Sequence, residues 1–199
     1  MARSWAPSFW RLLVEDAETA RAQDPAATSL GAVVMTYPGV HAVWHYRFAH
    51  AMWQRPALRL PARVLSLVSR MLTGVEIHPA ARIGRRLFID HGMGVVIGAT
   101  AEVGDDCLLF HGVTLGGRSM SPGKRHPTLG DRVLVGSGAK VLGPLWVGDD
   151  AKIGANAVVT HDVPNGAVAV GVPARNRMPA TDRGTEPLQD PSQLIEYAI

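Results

Sequence analysis

The chain has 199 residues, 47% of them hydrophobic and 19% charged, with 21 Gly and 14 Pro; that composition supports one cored domain with an appendage and excludes both general disorder and a multidomain machine. A net charge of +3, carried by 17 Arg and three Lys that never cluster, reads as scattered solvated cations and not as a nucleic-acid surface. Cys107 stands alone, so there is no intrachain disulfide and no CxxC motif, the opening MARSWAPSFWRLLVEDAE turns acidic too soon for a signal peptide, and no apolar run approaches about 18 residues, so the expectation is a cytoplasmic protein with no membrane span.

From Ser8 to about Ala22, Phe9, Leu12, Leu13 and Ala17 recur at helical spacing, with Ser8 placed to cap, until Asp24-Pro25 interrupts. A second apolar stretch near Leu30–Met35 stops at Tyr37-Pro38-Gly39, and Val40, Val43, Trp44, Phe48, Ala51 and Met52 then mark a helix to Trp53. Pro56 and Pro61 bracket a turn, and Ala62–Leu72 forms a last short helix ended by Thr73-Gly74. Its Val64, Leu65, Val68, Met71 and Leu72 require a partner surface; packing against the core suits its short length and Pro61 better than lying on a membrane.

Beyond Gly74 the period changes to six. Ile77, Ile83, Ile89 and Val95 keep one register, Ile97, Val103, Leu109 and Leu115 a second, and Leu129, Val135, Val141, Val147, Ile153 and Val159 a third. Gly often follows the aliphatic, as at 84, 98, 104, 116, 130, 136, 148 and 154, and small or apolar residues lie four positions on, as at Ala81, Cys107, Val113, Ala139, Ala151 and Ala157. Such a period fits neither a helix nor a hairpin sheet; it fits a β-solenoid of short strands and turns with the aliphatics pointing inward. Cys107 falls at an inward position and reads as a packing thiol. Two irregularities, a two-residue break between Val95 and Ile97 and the segment from Gly117 to Thr128, leave the regular stack, and chemistry is sought there.

The eight His supply the candidate chemistry. The H-x4-H spacing of γ-type carbonic anhydrases is absent from the solenoid, so no metal is expected. An imidazole oriented by an acid can instead take a proton from an alcohol. Glu76 and Asp90-His91 are the candidates, since with about 18 residues per solenoid turn Glu76 and His91 fall on adjacent coils near one edge; solvated polar residues at a rim are the other reading of the same spacing.

The segments Val75-Glu-Ile-His-Pro-Ala-Ala-Arg-Ile-Gly84, Ile89-Asp-His-Gly-Met-Gly-Val-Val-Ile-Gly98, Val113-Thr-Leu-Gly-Gly117, Lys124-Arg-His-Pro127, Gly138-Ala-Lys-Val-Leu-Gly143 and Gly171-Val-Pro-Ala-Arg175 together resemble the serine O-acetyltransferases of cysteine biosynthesis, within the hexapeptide-repeat acyltransferases. The resemblance runs from Asp24-Pro25 to Arg175. It implies an α+β, mainly β, protein: a helical region over 1–74, a left-handed parallel β-helix over 75–177 and a flexible tail over 178–199. It also implies trimers that can pair into hexamers, active sites between neighbouring chains, and acetyl transfer from acetyl-CoA, a co-substrate and not a permanently bound cofactor, to L-serine.

By that resemblance His91 is the general base and Glu76 orients it, with Glu standing where some relatives have Asp. Asp90 and Asp24 hold the substrate amino group, Asp24 from an adjacent chain, and Arg125 and His126 face its carboxylate. An acid at one end and a planar guanidinium at the other suit a zwitterion on independent grounds. Gly116 and Gly117 supply oxyanion donors, while Ser137, Lys152, Ala155 and Arg175 match acetyl-CoA positions; Lys140 and Arg132 read equally as solvated rungs. The 118–123 loop, RSMSPG, departs from the Gly-rich stretch of relatives. The terminal Ile199 matches the residue with which relatives plug O-acetylserine sulfhydrylase, or is a frayed end. The rival functions are acylation of another hydroxyl (homoserine, a sugar, an antibiotic) and a non-catalytic trimeric scaffold.

Overall fold

The structure is a computed structural model that describes residues 8–178, so the expected tail and Ile199 lie outside the described residues. Four α-helices lead. In α1 (Phe9–Gln23) and α2 (Leu30–Thr36) the Ser8 and Ser29 hydroxyls cap by accepting from the amides of Arg11 and Ala32. Tyr37-Pro38 ends α2 as expected but also begins α3 (Pro38–Trp53), because proline at the first helical position sacrifices an N–H that has no helical partner there. After a 3₁₀ turn over Pro56–Leu58, α4 (Arg59–Thr73) likewise carries Pro61 in its first turn, so Pro61 lies inside the helix and does not close a turn before it. Gly74, at φ 73°, stops α4 in the left-handed region.

The hexapeptides then wind five coils of a three-sided left-handed prism. The first coil holds β1 (Glu76–Ile77), β2 (Arg82–Ile83) and β3 (Phe88–Ile89); the second, β4 (Val96–Ile97), β5 (Glu102–Val103) and β6 (Leu108–Leu109). The third holds β7 (Thr114–Gly116), β8 (Thr128–Leu129) and β9 (Leu134–Val135); the fourth, β10 (Lys140–Leu142), β11 (Trp146–Val147) and β12 (Lys152–Ile153). The fifth has β13 (Val158–Val159) and β14 (Val168–Val170), and β15 (Arg175–Arg177) returns antiparallel on β14. All other pairings are parallel, giving a first face β1-β4-β7-β10-β13, a second β2-β5-β8-β11 and a third β3-β6-β9-β12-β14.

Each parallel strand, β1 to β14, points one aliphatic inward, and a second inward column precedes it by two residues. Val95 belongs to that second column: it stacks between Val75 and Val113, all three fully buried, while Ile97 aligns with Ile77. The two extra residues therefore lie in the corner after Ile89, and not between Val95 and Ile97. Cys107 is buried in the stack with its thiol donating to the Gly130 carbonyl at 3.2 Å, and burial pushes its pKa up to about 11. The insertion of 117–127 leaves the third coil between β7 and β8, as expected for a segment that breaks the repeat.

The second–third edge is held by a ladder of acids. Asp105, Asp131 and Asp149 each accept, at 2.7–2.9 Å, the amide hydrogen of the residue one coil earlier, and Asn165 ends the series. Beside it, Arg86 grips Asp106 and Arg132 grips Asp150 from the same corner position of successive coils. The helices close the open end of the prism. Ala42, Val43 and Tyr46 of α3 share the core with Val75 and Ile77, and α1 to α3 pack over Phe88 on the third face. A buried pair pins this arrangement: Arg47 makes two 2.7 Å bonds to Asp16 and a third to the Gly84 carbonyl. Against expectation, α4 buries its small residues, Ala62, Ser66, Ser69 and Thr73, because close approach to α3 admits nothing larger; Leu60, Val64, Leu67, Met71 and Leu72 remain exposed.

Candidate active site

His91 stands on the third–first edge, in the corner lengthened by two residues, with φ 59° and its side chain 75% exposed. Regular corners on this edge place one positive-φ residue three positions after the strand aliphatic: Gly112, Gly138 and Asn156. Here three residues take the left-handed region: Gly94, which stacks on Gly112, and ahead of it His91 and Gly92, and the added turn carries the exposed imidazole outward from the stack. Asp90 lies beside it, carboxylate to Nε2 at 3.7 Å.

Asp24, just past the end of α1, reaches the same edge within one chain. Its Oδ1 accepts from the Ala26 amide at 2.7 Å and its Oδ2 from the Tyr37 hydroxyl. That hydrogen bond, then burial, then the charges of Asp24 and Asp90 push the Tyr37 pKa up to about 12. Gly39 makes the approach possible, since a Cβ there would sit 2.0 Å from the Ile89 carbonyl oxygen. Within one chain, then, Asp24 bonds Tyr37 and Asp90 lies close enough for its charge to act on the same hydroxyl.

Glu76 borders this corner, its amide bonded to the Val95 carbonyl, but its carboxylate is held by Arg70 of α4 at 2.7 Å and makes no hydrogen bond to His91 among the described residues. That pair is solvated and weak, on the order of 1 kcal/mol or less, so a charged imidazole can compete for the carboxylate. One coil on, His111 lies two residues after its strand aliphatic, as His91 does, and the rings meet edge to face at 5.9 Å, although in the backbone ladder it is Met93 that stacks on His111. Ser137 and Ala155 hold the same position in the third and fourth coils, and the Asn156 amide donates to the Ser137 carbonyl. Lys152 lies on the third face, with Arg175 on the β15 return.

Arg125 and His126 lie elsewhere, on the first–second edge, where the 117–127 insertion returns to the stack; Gly116 and Gly117 mark where it leaves. His126 is buried, its ring laid on Gly98, where a Cβ would meet Cδ2 and Nε2 at 2.0 Å. Burial, then Arg125 and Lys124, lowers its pKa. His78 is adjacent, and burial together with Arg63, His126 and Arg125 brings it to about 4, so it is neutral at physiological pH. The site residues thus fall into two sets, Asp24, Asp90 and His91 on one edge and Arg125 and His126 on another.

Tyr37, Thr100 and His111 escaped the sequence reading as site residues. His111 shares the offset of His91 from its strand aliphatic, so the register itself could have found it. Nothing in the sequence signals Tyr37, whose place depends on helix packing.

A family model for the bacterial transferase hexapeptide (six repeats) matches residues 126–161. The serine acetyltransferase of Mycobacterium tuberculosis is 61% identical over 160 residues, 80% of this chain and 69% of that protein. The solved Neisseria gonorrhoeae serine acetyltransferase in complex with serine aligns with a TM-score of 0.81 at 37% identity, over 85% of this chain and 69% of that one. A serine acetyltransferase complex with CoA aligns with a TM-score of 0.81 at 39% identity, over 86% and 71%.

Proposed function

The chain belongs to the serine acetyltransferases, and from that premise we propose how it moves an acetyl group from acetyl-CoA to the hydroxyl of L-serine, releasing O-acetyl-L-serine and CoA. His91 removes the hydroxyl proton as the serine oxygen attacks the thioester carbon; backbone donors at Gly116-Gly117 receive the oxyanion. As the C–S bond breaks, the same imidazolium returns the proton to the CoA thiolate, and no acyl-enzyme forms. Asp24 and Asp90 take the substrate ammonium, while Arg125 and His126 take its carboxylate. Glu76, released from Arg70, stabilises the imidazolium.

The observation that carries this reading is the division of these residues between two edges. One serine cannot span a face of the prism, so its ammonium and carboxylate sites meet when the third–first edge of one copy faces the first–second edge of another. The neighbour then contributes Arg125, His126 and Gly116-Gly117, not Asp24. The exposed stripe of Leu60, Val64, Leu67 and Met71 on α4 supports assembly into trimers or pairs of trimers. Rungs about 4.8 Å apart place Ala155 about 14 Å along the edge from His91, past His111 and Ser137. That column, with Lys152 and Arg175 beside it, forms the acetyl-CoA track.

The same reading divides the chain into a helical region (1–74), the transferase prism (75–177) and a C-terminal tail (178–199) whose Ile199 engages O-acetylserine sulfhydrylase. Among the described residues no helix is long and apolar enough to cross a membrane, and the buried lone thiol suits the cytoplasm, where we place the protein.

Thiol release from acetyl-CoA with L-serine, D-serine and L-homoserine tests the reaction. L-serine gives the fastest release, and His91→Ala lowers the rate about 10²–10⁴-fold without lowering Tm, since the ring is exposed. Mixing separately inactive His91→Ala and Arg125→Ala proteins restores activity through mixed oligomers; no recovery after subunit exchange refutes the shared site. No release with any amino acid refutes the reaction, and unchanged sulfhydrylase binding after deletion of Ile199 refutes the tail's role.

A further inference from the structure

The insertion that delivers Arg125 and His126 has no strand to hold it, yet the two residues are fixed. The fixing group is one side chain. The Thr100 hydroxyl accepts the amide hydrogens of Arg125 at 3.1 Å and His126 at 3.2 Å and lies 2.8 Å from His126 Nδ1, the one partner left for its proton. With one proton and two lone pairs, that hydroxyl is saturated. The Thr100 amide also donates to Nδ1, at 3.2 Å, and the Thr100 carbonyl accepts from Lys124 Nζ at 2.8 Å. Among the described residues no carboxylate bonds Arg125 or His126; Glu102, the acid next to the loop's return, is engaged by Lys124 at 3.2 Å.

We propose that Thr100 is the positioning residue of the carboxylate half-site: it locks His126 in the neutral tautomer with Nδ1 bare and Nε2 protonated, and so makes that imidazole a fixed hydrogen-bond donor and not a second base. Two donors aimed at Nδ1 leave no room for a proton on it. On the other side the ring lies on Gly98, which prevents it from tilting away. Nε2–H is then the group free to meet a carboxylate oxygen, with Arg125 beside it as the cation. The contrast with His91 explains how one site uses two imidazoles in opposite roles. His91 projects from an open corner and exchanges its proton; His126 is clamped at one nitrogen and only donates.

The inference deepens the serine acetyltransferase reading and rests on it for the identity of the carboxylate. Thr100→Val keeps shape and removes the hydroxyl, whereas Thr100→Ser keeps the hydroxyl. In steady-state assays Thr100→Val raises KM for L-serine about 10–100-fold, leaves kcat and KM for acetyl-CoA within about threefold, and Thr100→Ser restores KM. A role confined to loop stability would instead lower Tm or soluble yield and leave KM of the folded enzyme unchanged, and that result overturns the proposal.

The tautomer is read independently of turnover by long-range ¹H–¹⁵N spectra of the imidazoles, with His126→Asn assigning the signal. The native protein and Thr100→Ser show bare Nδ1 and protonated Nε2; Thr100→Val shows a mixture. A native His126 protonated at Nδ1 refutes the lock even if the enzyme is active. Native protein that shows the expected tautomer but releases no thiol with L-serine retains the lock and refutes the substrate.

Discussion

Gly98→Ala is the sharpest probe of the carboxylate half-site, because it adds one methyl group at a place where the backbone tolerates it. Gly98 does not adopt the positive φ that disfavours other residues, and the three atoms nearest its Cβ position all belong to the His126 ring: Cδ2 and Nε2 at 2.0 Å, Cε1 at 2.9 Å. Ordinary contact begins at 3.4 Å, so the ring must retreat by about 1.4 Å. Both hydrogen bonds into Nδ1, at 2.8 and 3.2 Å, break with such a shift. Two lost bonds at about 1 kcal/mol each give about 30-fold weaker binding of a carboxylate, and misplacement by about 1 Å at a reacting centre reaches 10²-fold. Steady-state kinetics then show KM for L-serine raised about 30- to 100-fold with KM for acetyl-CoA unchanged within about threefold. Gly104→Ala is the control: its Cβ meets the Gly130 carbonyl at 2.4 Å, backbone that cannot yield, so it lowers Tm with no selectivity for serine. A Gly98→Ala enzyme with native KM for L-serine would refute the placement of His126 in the substrate site.

The acid ladder predicts a difference between two substitutions at one position. Asp131→Ala leaves the Asp105 amide without its 2.8 Å acceptor and costs about 1–3 kcal/mol in urea unfolding. Asp131→Asn, which keeps an acceptor oxygen as Asn165 does at the ladder's end, stays within about 0.5 kcal/mol; equal losses would show the ladder bonds to be unimportant. Arg47→Met strands the buried Asp16 carboxylate and destabilises by about 3–5 kcal/mol in the same assay; a loss under about 1 kcal/mol would show that water replaces the guanidinium. The Arg85 hydrogen bonds hold Glu15 below its usual pKa and those of Arg86 hold Asp106 below its own. Depressed carboxyl pKa values stabilise the folded chain fully above the unfolded values of 4.5 and 3.8, and that stabilisation is lost as the pH falls through the folded ones. Thermal melts between about pH 5 and 3 should therefore fall more steeply for the native chain than for Glu15→Gln/Asp106→Asn, and parallel profiles would refute the assignment.

The hexapeptide register was legible because an inward position in a β-helix accepts little but a branched aliphatic or a small residue, so Ile77, Ile97, Leu115, Val141 and Val159 declare their column one residue at a time. The same column rule placed His91 at an edge. It misassigned Val95, since two inward columns both take Val and only the pairing of Glu76 with Val96 separates them. The face of α4 was misread for a related reason: apolar spacing shows that a helix is amphipathic, but Ser66 and Ser69 are buried because α3 approaches closely, a property of the pair and not of either strip of sequence.

What the sequence determined by itself was whatever depends on local repetition: the solenoid, the fact of two interruptions with the place of the longer one at 117–127, and the chemistry-bearing residues near them. Tertiary structure decided which of them meet. Asp24 joins Asp90 because Gly39 lets α3 settle on Ile89, and Arg70 reaches Glu76 because α4 turns sharply into the first strand at Gly74. Arg125 and His126 sit one edge away because the coil from Ile97 to Val103 supplies Thr100 and Gly98 as their seat. Contacts of that kind join residues 6 to 70 positions apart, as Arg70 to Glu76 and Glu15 to Arg85 do. They are set by how elements pack in three dimensions, a quantity to which no window of sequence is sensitive.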